Sequence, residues 1–483
     1  MNSSMRPELL SPAGTRKAMR YAFAYGADAV YAGQPRYSLR VRENEFNKLE
    51  VMAEAVAEAH RLGKQFYIAS NIAPHNSKVR SYLKNMEPVI DMGPDALIMS
   101  DPGLIMMVRE RWPEMPIHLS VQANAVNFAS VKFWQSQGLS RVILSRELSI
   151  PEIAEIQQEC PDMELEVFVH GALCIAYSGR CLLSGYMNHR DSNQGACTNA
   201  CRWNYEVSEA EQTPEGDIQL KVLGEPPSNN TSNNTSNNTS NNTSNNTSNS
   251  AASNTCGSDS DVGPEERMFL LEEEDRPGEL MPAFEDEHGT YIMNSRDLRA
   301  VEHVEQFVDM GLSSLKIEGR TKSYFYVART AQVYRQAIDD AADGRERDES
   351  LMRNLDSLAN RGYTDGFYSR RPISDLQNYE TGNSVSNQQR FVGEVLERQG
   401  EHLVIDVKNR FRVGDEVELM MPSRNISFIL PALLNRSDSP IDVAPGSGHV
   451  VKLPIPDEVV ESISDHDIEF GLLMGSVSQP PKS

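Results

Sequence analysis

The chain of 483 residues lacks any apolar window of about 18 residues, the length that crosses a bilayer as a helix. Its opening stretch, MNSSMRPELLSPAG, also lacks the apolar core of a secretory signal peptide. We therefore expect a cytoplasmic protein with no membrane contact. Because disulfides are rare in that compartment, the six cysteines are expected to be thiols or metal ligands.

Positive charge is scarce as well. The chain has 46 Lys and Arg against 69 Asp and Glu, so its formal net charge is -23. Residues 259–287, with twelve acidic residues and two arginines, contribute -10 of that excess. An RNA contact would therefore need a restricted basic patch. The best basic stripe consists of Lys316, Arg320, Lys322, Arg329 and Arg335, although a solvated helix face explains the last three equally well.

Several motifs of known chemistry are absent from the sequence. No G-x-G-x-x-G follows the first predicted strand, which disfavours a dinucleotide-binding domain. Neither G-x-S-x-G nor H-E-x-x-H occurs, so a peptidase would have no local catalytic motif. A serine peptidase built from distant residues would need His75, His118 or His170 beside an activated serine.

Four of the six cysteines lie in one stretch between Phe168 and Trp203, and they follow the spacing C-x6-C-x15-C-x3-C. They are Cys174, Cys181, Cys197 and Cys201. Gly, Ser, Asn, Tyr and Arg fill the intervals, as in a loop. This spacing favours an iron-sulfur cluster over structural zinc, whose ligands usually come as paired short C-x2-4-C units. Buried thiols without a ligand are a third interpretation.

Apolar runs of strand length alternate with amphipathic helical runs through most of the chain, which predicts an α/β fold. Eight such units favour a TIM-like (β/α)8 barrel over an open sheet. The predicted strands are Glu8–Ser11, Asp28–Ala32, Gln65–Asn71, Ala96–Ser100, Ile117–Gln122, Arg141–Ser145, Leu165–Val169 and Ser314–Glu318. A helix is predicted from near Leu298 to Met310, before the last strand.

The predicted domain order places an insertion inside the barrel and a β domain after it. Residues 228–248 repeat Ser-Asn-Asn-Thr and have no apolar side chain to bury, which predicts disorder. The two-residue alternation after Phe391 predicts a small antiparallel β-barrel. The predicted domains are the first barrel part with the cysteine loop (1–206), a low-complexity disordered insertion (207–264), barrel completion (265–345), a loop-rich connector (346–390) and the C-terminal β-barrel (391–483).

The stretch EVFVHGALCIAYSGRCLLSGY, with its Cys-x6-Cys, resembles peptidase family U32, the collagenase-like peptidases. PELLSPAGTRKAMRYAFAYGADAVYAG, GPDALIMSDPGLI, IHLSVQANAVN and SLKIEGRTKS resemble the same family. The resemblance covers nearly the whole chain except about residues 206–264. It is greatest to bacterial members that form 5-hydroxyuridine at the wobble position of tRNA.

The resemblance implies more than the residues themselves establish. It implies a four-iron, four-sulfur cluster on the four cysteines, prephenate as a small co-substrate and tRNA as the partner. Other members of the family hydroxylate ribosomal RNA or quinone precursors, so the substrate enters through the resemblance alone. The Asn-Asn-Thr-Ser insertion departs from the family pattern.

Polar residues cluster at or just after the predicted strand ends, where TIM-barrel enzymes place their active sites. The candidate catalytic residues are His170, Tyr31 and Glu318; the candidate substrate-binding residues are Arg40, Arg42, Arg146, Gln122, Asn124 and Arg320. The arginines suit carboxylates, but ion pairing with nearby acids explains each one equally simply. His170 is either a proton donor or a residue that pins a loop. Tyr31 and Tyr177 either stack on an unpaired base or simply pack.

Three functions remain open at this point. The first is an RNA-modifying hydroxylase that uses an iron-sulfur cluster. The second is the peptidase of the family's name. The third is a tRNA-binding module whose cluster is structural.

Overall fold

The structure is a computed structural model. It describes residues 6–38, 45–72, 74–173, 296–319, 322–360, 362–369, 389–455 and 463–476, and the backbone of five strands between 205 and 292. The chain divides into two compact units. The larger comprises Met1–Arg202, Asn294–Asn378 and Asn383–Ser483, and the smaller comprises Trp203–Met293 and Tyr379–Gly382.

Eight parallel strands of the larger unit close into a barrel. Each strand pairs with the next along the chain, and the last strand pairs with both the first and the seventh. In chain-order labels these are β1 (Glu8–Pro12), β2 (Ala29–Gly33), β3 (Gln65–Ser70), β4 (Ala96–Met99), β5 (Ile117–Leu119), β6 (Arg141–Ile143), β7 (Glu164–Ala172) and β14 (Ser314–Ile317). The predicted TIM-like barrel is therefore confirmed.

Helices between the strands bury an apolar face against the barrel, as in α1, where Met19, Ala22 and Phe23 are buried. Several start at a side chain that accepts a hydrogen bond from the first turn, for example Thr15, Asp101 and Ser323. Such a cap contributes about 1 kcal/mol. The barrel helices are α1 (Arg16–Ala24), α2 (Leu49–Arg61), α3 (Asn76–Val79), α4 (Tyr82–Asp91), α5 (Pro102–Arg111), α6 (Phe128–Ser136), α7 (Ile150–Glu159), α8 (Val304–Asp309), α9 (Tyr324–Ala342) and α10 (Ser350–Asp356).

The barrel interior contains a buried ionic network where such folds usually hold branched aliphatic residues. Arg141 bonds Glu8 at 2.6 Å and Glu166 at 3.2 Å, and Lys316 bonds Glu166 at 2.8 Å. Glu166 is fully buried. Burial alone would raise the pKa of Glu166, but the charges of Lys316 and Arg141 lower it overall, so the carboxylate stays ionised.

Two short strands extend the sheet beyond the barrel, and one of them corrects a predicted helix. β13 (Asp297–Arg299) pairs antiparallel to β7, and β15 (Tyr363–Thr364) pairs with β13. The start of the helix predicted near Leu298–Met310 is therefore wrong. The helix begins only at Val304, because Leu298 pairs with Gly171 of β7 and so takes extended backbone.

The smaller unit is an antiparallel sheet of five strands: β8 (Tyr205–Gln212), β9 (Ile218–Leu220), β10 (Arg267–Glu273), β11 (Leu280–Asp286) and β12 (Gly289–Ile292). Their order in the sheet is β12-β11-β10-β8-β9. Parts of the predicted insertion therefore form strands. The strands β10, β11 and β12 lie in the range 265–345 that was predicted to complete the barrel, but they pair within this sheet instead. The Ser-Asn-Asn-Thr repeat at 228–248 lies outside the described residues.

The C-terminal part of the larger unit is the predicted antiparallel β domain, with a core of its own. Its main sheet has eight strands in the order β20-β19-β25-β16-β17-β24-β21-β22. The elements are β16 (Gln389–Gln399), β17 (His402–Val407), β18 (Phe411–Arg412), β19 (Glu416–Met420), β20 (Asn425–Ile429), β21 (Leu433–Asn435), β22 (Pro440–Ile441), β23 (Val443–Ala444), β24 (Val450–Pro454), α11 (Asp465–Glu469) and β25 (Leu472–Ser476).

Ionic contacts attach this β domain to the outer face of the barrel. Arg329 of α9, fully buried, donates to Glu418 of β19 at 2.8 Å. Glu394 of β16 accepts from Lys17 at 2.6 Å and from Tyr21 at 3.0 Å. The two parts of the larger unit therefore share a polar, largely buried junction.

Among the described residues, no helix combines the length and the apolar composition that crossing a membrane requires.

Candidate active site

The side chains of Tyr31 and Glu318 meet at the C-terminal end of the barrel strands, hereafter the barrel mouth. The Tyr31 hydroxyl lies 3.3 Å from Glu318 Oε2 and 3.0 Å from the carbonyl oxygen of Ile317. Both side chains are buried, at 3% and 7% exposure. Gly171 lets β7 approach this point, because a Cβ there would lie 2.4 Å from the Glu318 carbonyl oxygen. The structure thus brings two of the three predicted catalytic residues together.

A buried ammonium lies beneath this pair. Lys316 Nζ lies 4.3 Å from the centre of the Tyr31 ring and 5.6 Å from that of Phe168. Since Lys316 also bonds Glu166, the ionic network of the barrel interior reaches the underside of Tyr31. Sequence reasoning placed Lys316 in a surface stripe. Its burial could have been predicted from the sequence, because Lys316 is a single lysine within the otherwise apolar predicted strand Ser314–Ile317.

Amide oxygens without partners gather at the ends of β3 and β5. Asn71 Nδ2 donates to Ser120 Oγ at 3.4 Å, and Asn124 Nδ2 donates to the Gln122 carbonyl oxygen at 3.2 Å. Their Oδ1 atoms, and Gln122 Oε1, are buried and accept no hydrogen bond from the described residues. A buried acceptor without a donor is costly. This side of the mouth therefore suits a ligand that donates hydrogen bonds.

Arg146 supplies donors on another side of the mouth. Its guanidinium lies 4.3 Å from the centre of the Phe168 ring and donates to the Ala172 carbonyl oxygen at 2.5 Å. The residue is half-buried just after β6. Because a guanidinium has five N–H groups, several remain for an anionic ligand after this contact.

His170 faces a different environment from Tyr31. Its ring lies 5.8, 5.6 and 5.5 Å from the rings of Tyr326, Tyr334 and Tyr363, and Nδ1 lies 3.3 Å from the Tyr334 hydroxyl. Burial, followed by the charges of Arg299 and Lys322, lowers the pKa of His170 to about 3. The imidazole is therefore neutral near pH 7. Its catalytic role stays a prediction, and its surroundings are those of a packing residue.

Several predicted site residues lie outside the described residues. They are Arg40, Arg42 and Arg320 among the substrate-binding candidates, Tyr177, and the four candidate cluster ligands Cys174, Cys181, Cys197 and Cys201. The described chain reaches Leu173, directly after β7 ends at Ala172. In sequence, the first candidate ligand thus follows the barrel mouth immediately.

Three of the five residues of the basic stripe expected from the sequence are paired with acids. Lys316 and Arg329 are buried in ion pairs with Glu166 and Glu418. Arg335 pairs with Asp28 at 3.0 Å and with Asp339 at 2.8 Å. The charges of these three residues are therefore neutralised within the protein.

Among the described residues, the histidines that a serine peptidase would need form no such site. In the described part of the chain, none of His75, His118 and His170 is hydrogen-bonded to a serine. His118 packs inside the barrel with its ring 4.7 Å from that of Tyr67. Burial, followed by the charges of Arg141 and Lys316, lowers the pKa of His118 well below its usual value.

Comparison with known proteins gives concordant matches over the two parts of the chain. Residues 14–378 match Peptidase family U32, and residues 387–464 match the Peptidase family U32 C-terminal domain. The chain is 57% identical to tRNA hydroxylation protein P of Escherichia coli, over 98% of this chain and 97% of that protein. It is 56% identical to tRNA hydroxylation protein P of Haemophilus influenzae over the same shares, 98% and 97%.

The name of a more distant relative refers to another RNA. The 23S rRNA 5-hydroxycytidine C2501 synthase of Escherichia coli is 27% identical, over 88% of this chain and 54% of that protein. The family resemblance found in the sequence motifs is thus matched over both the barrel and the β domain. The chain belongs to peptidase family U32.

Proposed function

We propose that this chain is an RNA-modifying enzyme that hydroxylates tRNA. The observation that carries the proposal is the near full-length similarity to two proteins named tRNA hydroxylation protein P, at 57% and 56% identity. The buried polar barrel mouth supports it, because a TIM barrel performs chemistry at that end. The name of the rRNA relative places RNA base hydroxylation in the same family.

The finer proposal is that the wobble uridine becomes 5-hydroxyuridine, the first step toward 5-methoxyuridine or 5-oxyacetyluridine. Its base must leave the stack to reach a barrel mouth. Uracil presents an N3–H donor, which the unpartnered Oδ1 of Asn71 is suited to accept. Tyr31 and Glu318 would then face the pyrimidine ring, where a phenol beside a carboxylate can orient the base and exchange a proton with it.

Prephenate is proposed as the co-substrate, and its binding would use a different part of the mouth. Its two carboxylates cannot pair with the acceptor oxygens of Asn71, Gln122 and Asn124. Arginines suit carboxylates, and Arg146 is the described candidate. Arg40, Arg42 and Arg320 are proposed to complete that set.

A four-iron, four-sulfur cluster on Cys174, Cys181, Cys197 and Cys201 is proposed as the cofactor. Thiolate is the ligand that such clusters take, and the C-x6-C-x15-C-x3-C spacing departs from paired zinc knuckles. When bound, the cluster would supply one-electron chemistry. The residues of the barrel mouth would bind and orient the base and exclude water.

Two other functions give different expectations. A peptidase needs an activated nucleophile or a metal-bound water, and the described histidines form no pair with a serine. A tRNA-binding module with a structural cluster would bind tRNA and leave it unmodified. Loss of its cluster would then lower stability, whereas loss of a catalytic cluster removes hydroxylation first.

The test is anaerobic purification of the protein and of Cys174→Ala, with iron and sulfide quantified and the reduced protein examined by electron paramagnetic resonance. We expect about four irons and four sulfides per chain, lost in the variant. Cys160→Ala is the matched control, because Cys160 is a buried thiol whose Sγ lies 3.7 Å from the Phe128 carbonyl oxygen. That variant should retain its iron.

The same variants are then expressed in a strain that lacks the hydroxylating activity, and 5-hydroxyuridine in tRNA is measured by mass spectrometry. We expect Cys160→Ala to restore the modified nucleoside and Cys174→Ala to fail. Zinc or no metal in the purified protein would contradict the redox proposal. Full hydroxylation by Cys174→Ala would contradict a catalytic role for the cluster.

A further inference from the structure

The net charge of -23 poses a problem for a protein that must hold an RNA backbone. Phosphate neutralisation by Lys and Arg supplies most sequence-independent affinity. The cations of α9 cannot serve, because Arg329 and Arg335 are paired with acids. An RNA-binding surface must therefore consist of cations that the protein leaves unpaired, placed near the barrel mouth.

Two neighbouring segments at the barrel mouth carry such cations. They follow the ends of β2 and β3, and their four basic residues are all exposed. None of the four forms an ion pair within the part of the chain that the structure describes. We name them the rim patch: Arg36, Lys78, Arg80 and Lys84.

A buried tyrosine holds the two segments together. Tyr37, 1% exposed, accepts from Asn85 Nδ2 at 2.7 Å, and its hydroxyl lies 3.3 Å from Ser81 Oγ. Its ring packs edge-on against Tyr82, with centroids 4.8 Å apart. Since the Ile72 amide also donates to the Tyr37 carbonyl oxygen at 3.1 Å, the assembly is tied to the chain directly after β3.

The side chains of the rim patch are thus attached to a well-packed part of the backbone. Lys78 Nζ lies 3.4 Å from the Arg36 carbonyl oxygen, which joins the two segments at the surface. Arg80 lies in the turn between α3 and α4, and Lys84 lies in the first turn of α4 that follows it. Asn71, whose buried Oδ1 accepts no hydrogen bond from the described residues, directly precedes Ile72, the residue that is bonded to Tyr37 of the rim assembly.

We propose that the rim patch binds phosphates of the tRNA backbone next to the nucleotide that enters the barrel mouth. This inference rests on the proposed function and adds where the RNA is held. Phosphate contacts fix register and orientation without reading sequence. In an otherwise acidic protein, four cations at one side of the mouth, unpaired among the described residues, also orient the incoming RNA strand toward that side.

The test is the salt dependence of tRNA binding to the quadruple variant Arg36→Gln, Lys78→Gln, Arg80→Gln, Lys84→Gln. The probe is an unmodified transcript of a tRNA with uridine at the wobble position. Each lost phosphate contact lowers the slope of log K against log salt by about 0.7 to 0.9, so four contacts lower it by about 3. We expect at least about a tenfold loss of affinity at low salt, with an unchanged thermal unfolding curve.

The matched control neutralises four exposed cations elsewhere on the larger unit that also form no ion pair among the described residues: Arg61→Gln, Arg353→Gln, Arg410→Gln and Arg436→Gln. It should retain the slope and lose little affinity. Equal losses in both variants would mean that only net charge matters, and they would overturn the rim patch. So would wild-type affinity and slope in the rim variant.

Failure of the proposed function gives a separate result. If the wild-type protein neither binds nor hydroxylates tRNA, the proposed function and the rim patch fall together. If the wild-type protein does both and the rim variant is unaffected, only the location of the backbone contact is wrong.

Discussion

Tyr31 of β2 contacts three consecutive residues at the end of β14. Its ring lies over the ammonium of Lys316, and its hydroxyl lies between Glu318 and the Ile317 carbonyl oxygen. A phenol held in this way has a fixed direction and a carboxylate to exchange a proton with. That arrangement suits acid-base work on a bound ring.

We therefore expect Tyr31→Phe to lower the rate of tRNA hydroxylation by about a hundredfold, within the usual range for a positioned proton-transfer group. The ring and its contact with Lys316 remain, so stability should change little. Hydroxylated nucleoside per unit time is the measurement.

The control for this variant is Tyr25→Phe. Tyr25 is a buried tyrosine at the junction with the β domain, and its hydroxyl donates to the Met420 carbonyl oxygen at 3.1 Å and to the Phe470 carbonyl oxygen at 2.9 Å. It should lose about 1 kcal/mol of stability and retain activity. Equal activity of Tyr31→Phe and wild type would remove Tyr31 from the mechanism.

His170 gives a prediction about acid sensitivity. Its pKa falls from 6.5 to about 3 on folding, so below pH 6.5 the unfolded chain binds a proton that the native protein does not. Stability is therefore full above that pH and decreases as the pH falls toward 3. Between pH 7 and pH 5 the loss from this group is about 2 kcal/mol.

We expect His170→Gln to remove that share of the acid sensitivity, as measured by urea unfolding at the two pH values. His449→Gln, at an exposed position of the β domain, is the control and should behave as wild type. A wild-type pH dependence in His170→Gln would show that the buried imidazole is not the acid-sensitive group.

At the scale of elements, helix α9 joins the barrel to the β domain through one charged pair. Arg329 is fully buried, and its Nε and Nη1 have no partner among the described residues, so Glu418 is its counter-charge. Breaking a buried pair leaves one charge uncompensated, whereas replacing both charges by apolar side chains is often neutral.

Arg329→Met should therefore lower the free energy of unfolding by about 3–5 kcal/mol, and Arg329→Met with Glu418→Met should recover much of that loss. Urea unfolding measures both. Lys132→Met breaks the exposed pair with Glu159 and should change the free energy of unfolding little, because water screens that pair. A double variant as unstable as Arg329→Met would show that Glu418 has a second essential contact.

The elements also show where sequence reasoning works. All eight barrel strands were predicted, because apolar runs bounded by helical periodicity give a strong signal. β13 was not predicted, because three residues are too few to show the hydrophobic alternation of a strand. It forms by pairing with Gly171 and its neighbours in β7. In the smaller unit, the sequence predicts a return strand or hairpin near Gly289–Asn294, where β12 lies, but it does not predict β8, β9, β10 and β11.

At the scale of the whole molecule, the domain order could be predicted, but which basic residues pair with acids inside the protein could not. Composition gives the net charge of -23, yet only the folded contacts show that Lys316 and Arg329 are neutralised inside while Arg36 and Lys78 stay unpaired. Long-range pairing between distant segments decides this, and a linear pattern does not contain it. The Tyr31–Glu318 pair was predictable, because the ends of parallel strands meet at one face.

The chain leaves the barrel sheet and returns to it at a single place, because Ala172 of β7 and Asp297 of β13 are direct partners in register. The segment between these two residues begins and ends at paired positions of the sheet, so its length does not affect closure of the barrel. The Ser-Asn-Asn-Thr repeat belongs to this segment. Units of this four-residue repeat can therefore be gained or lost while the register of the barrel strands stays the same.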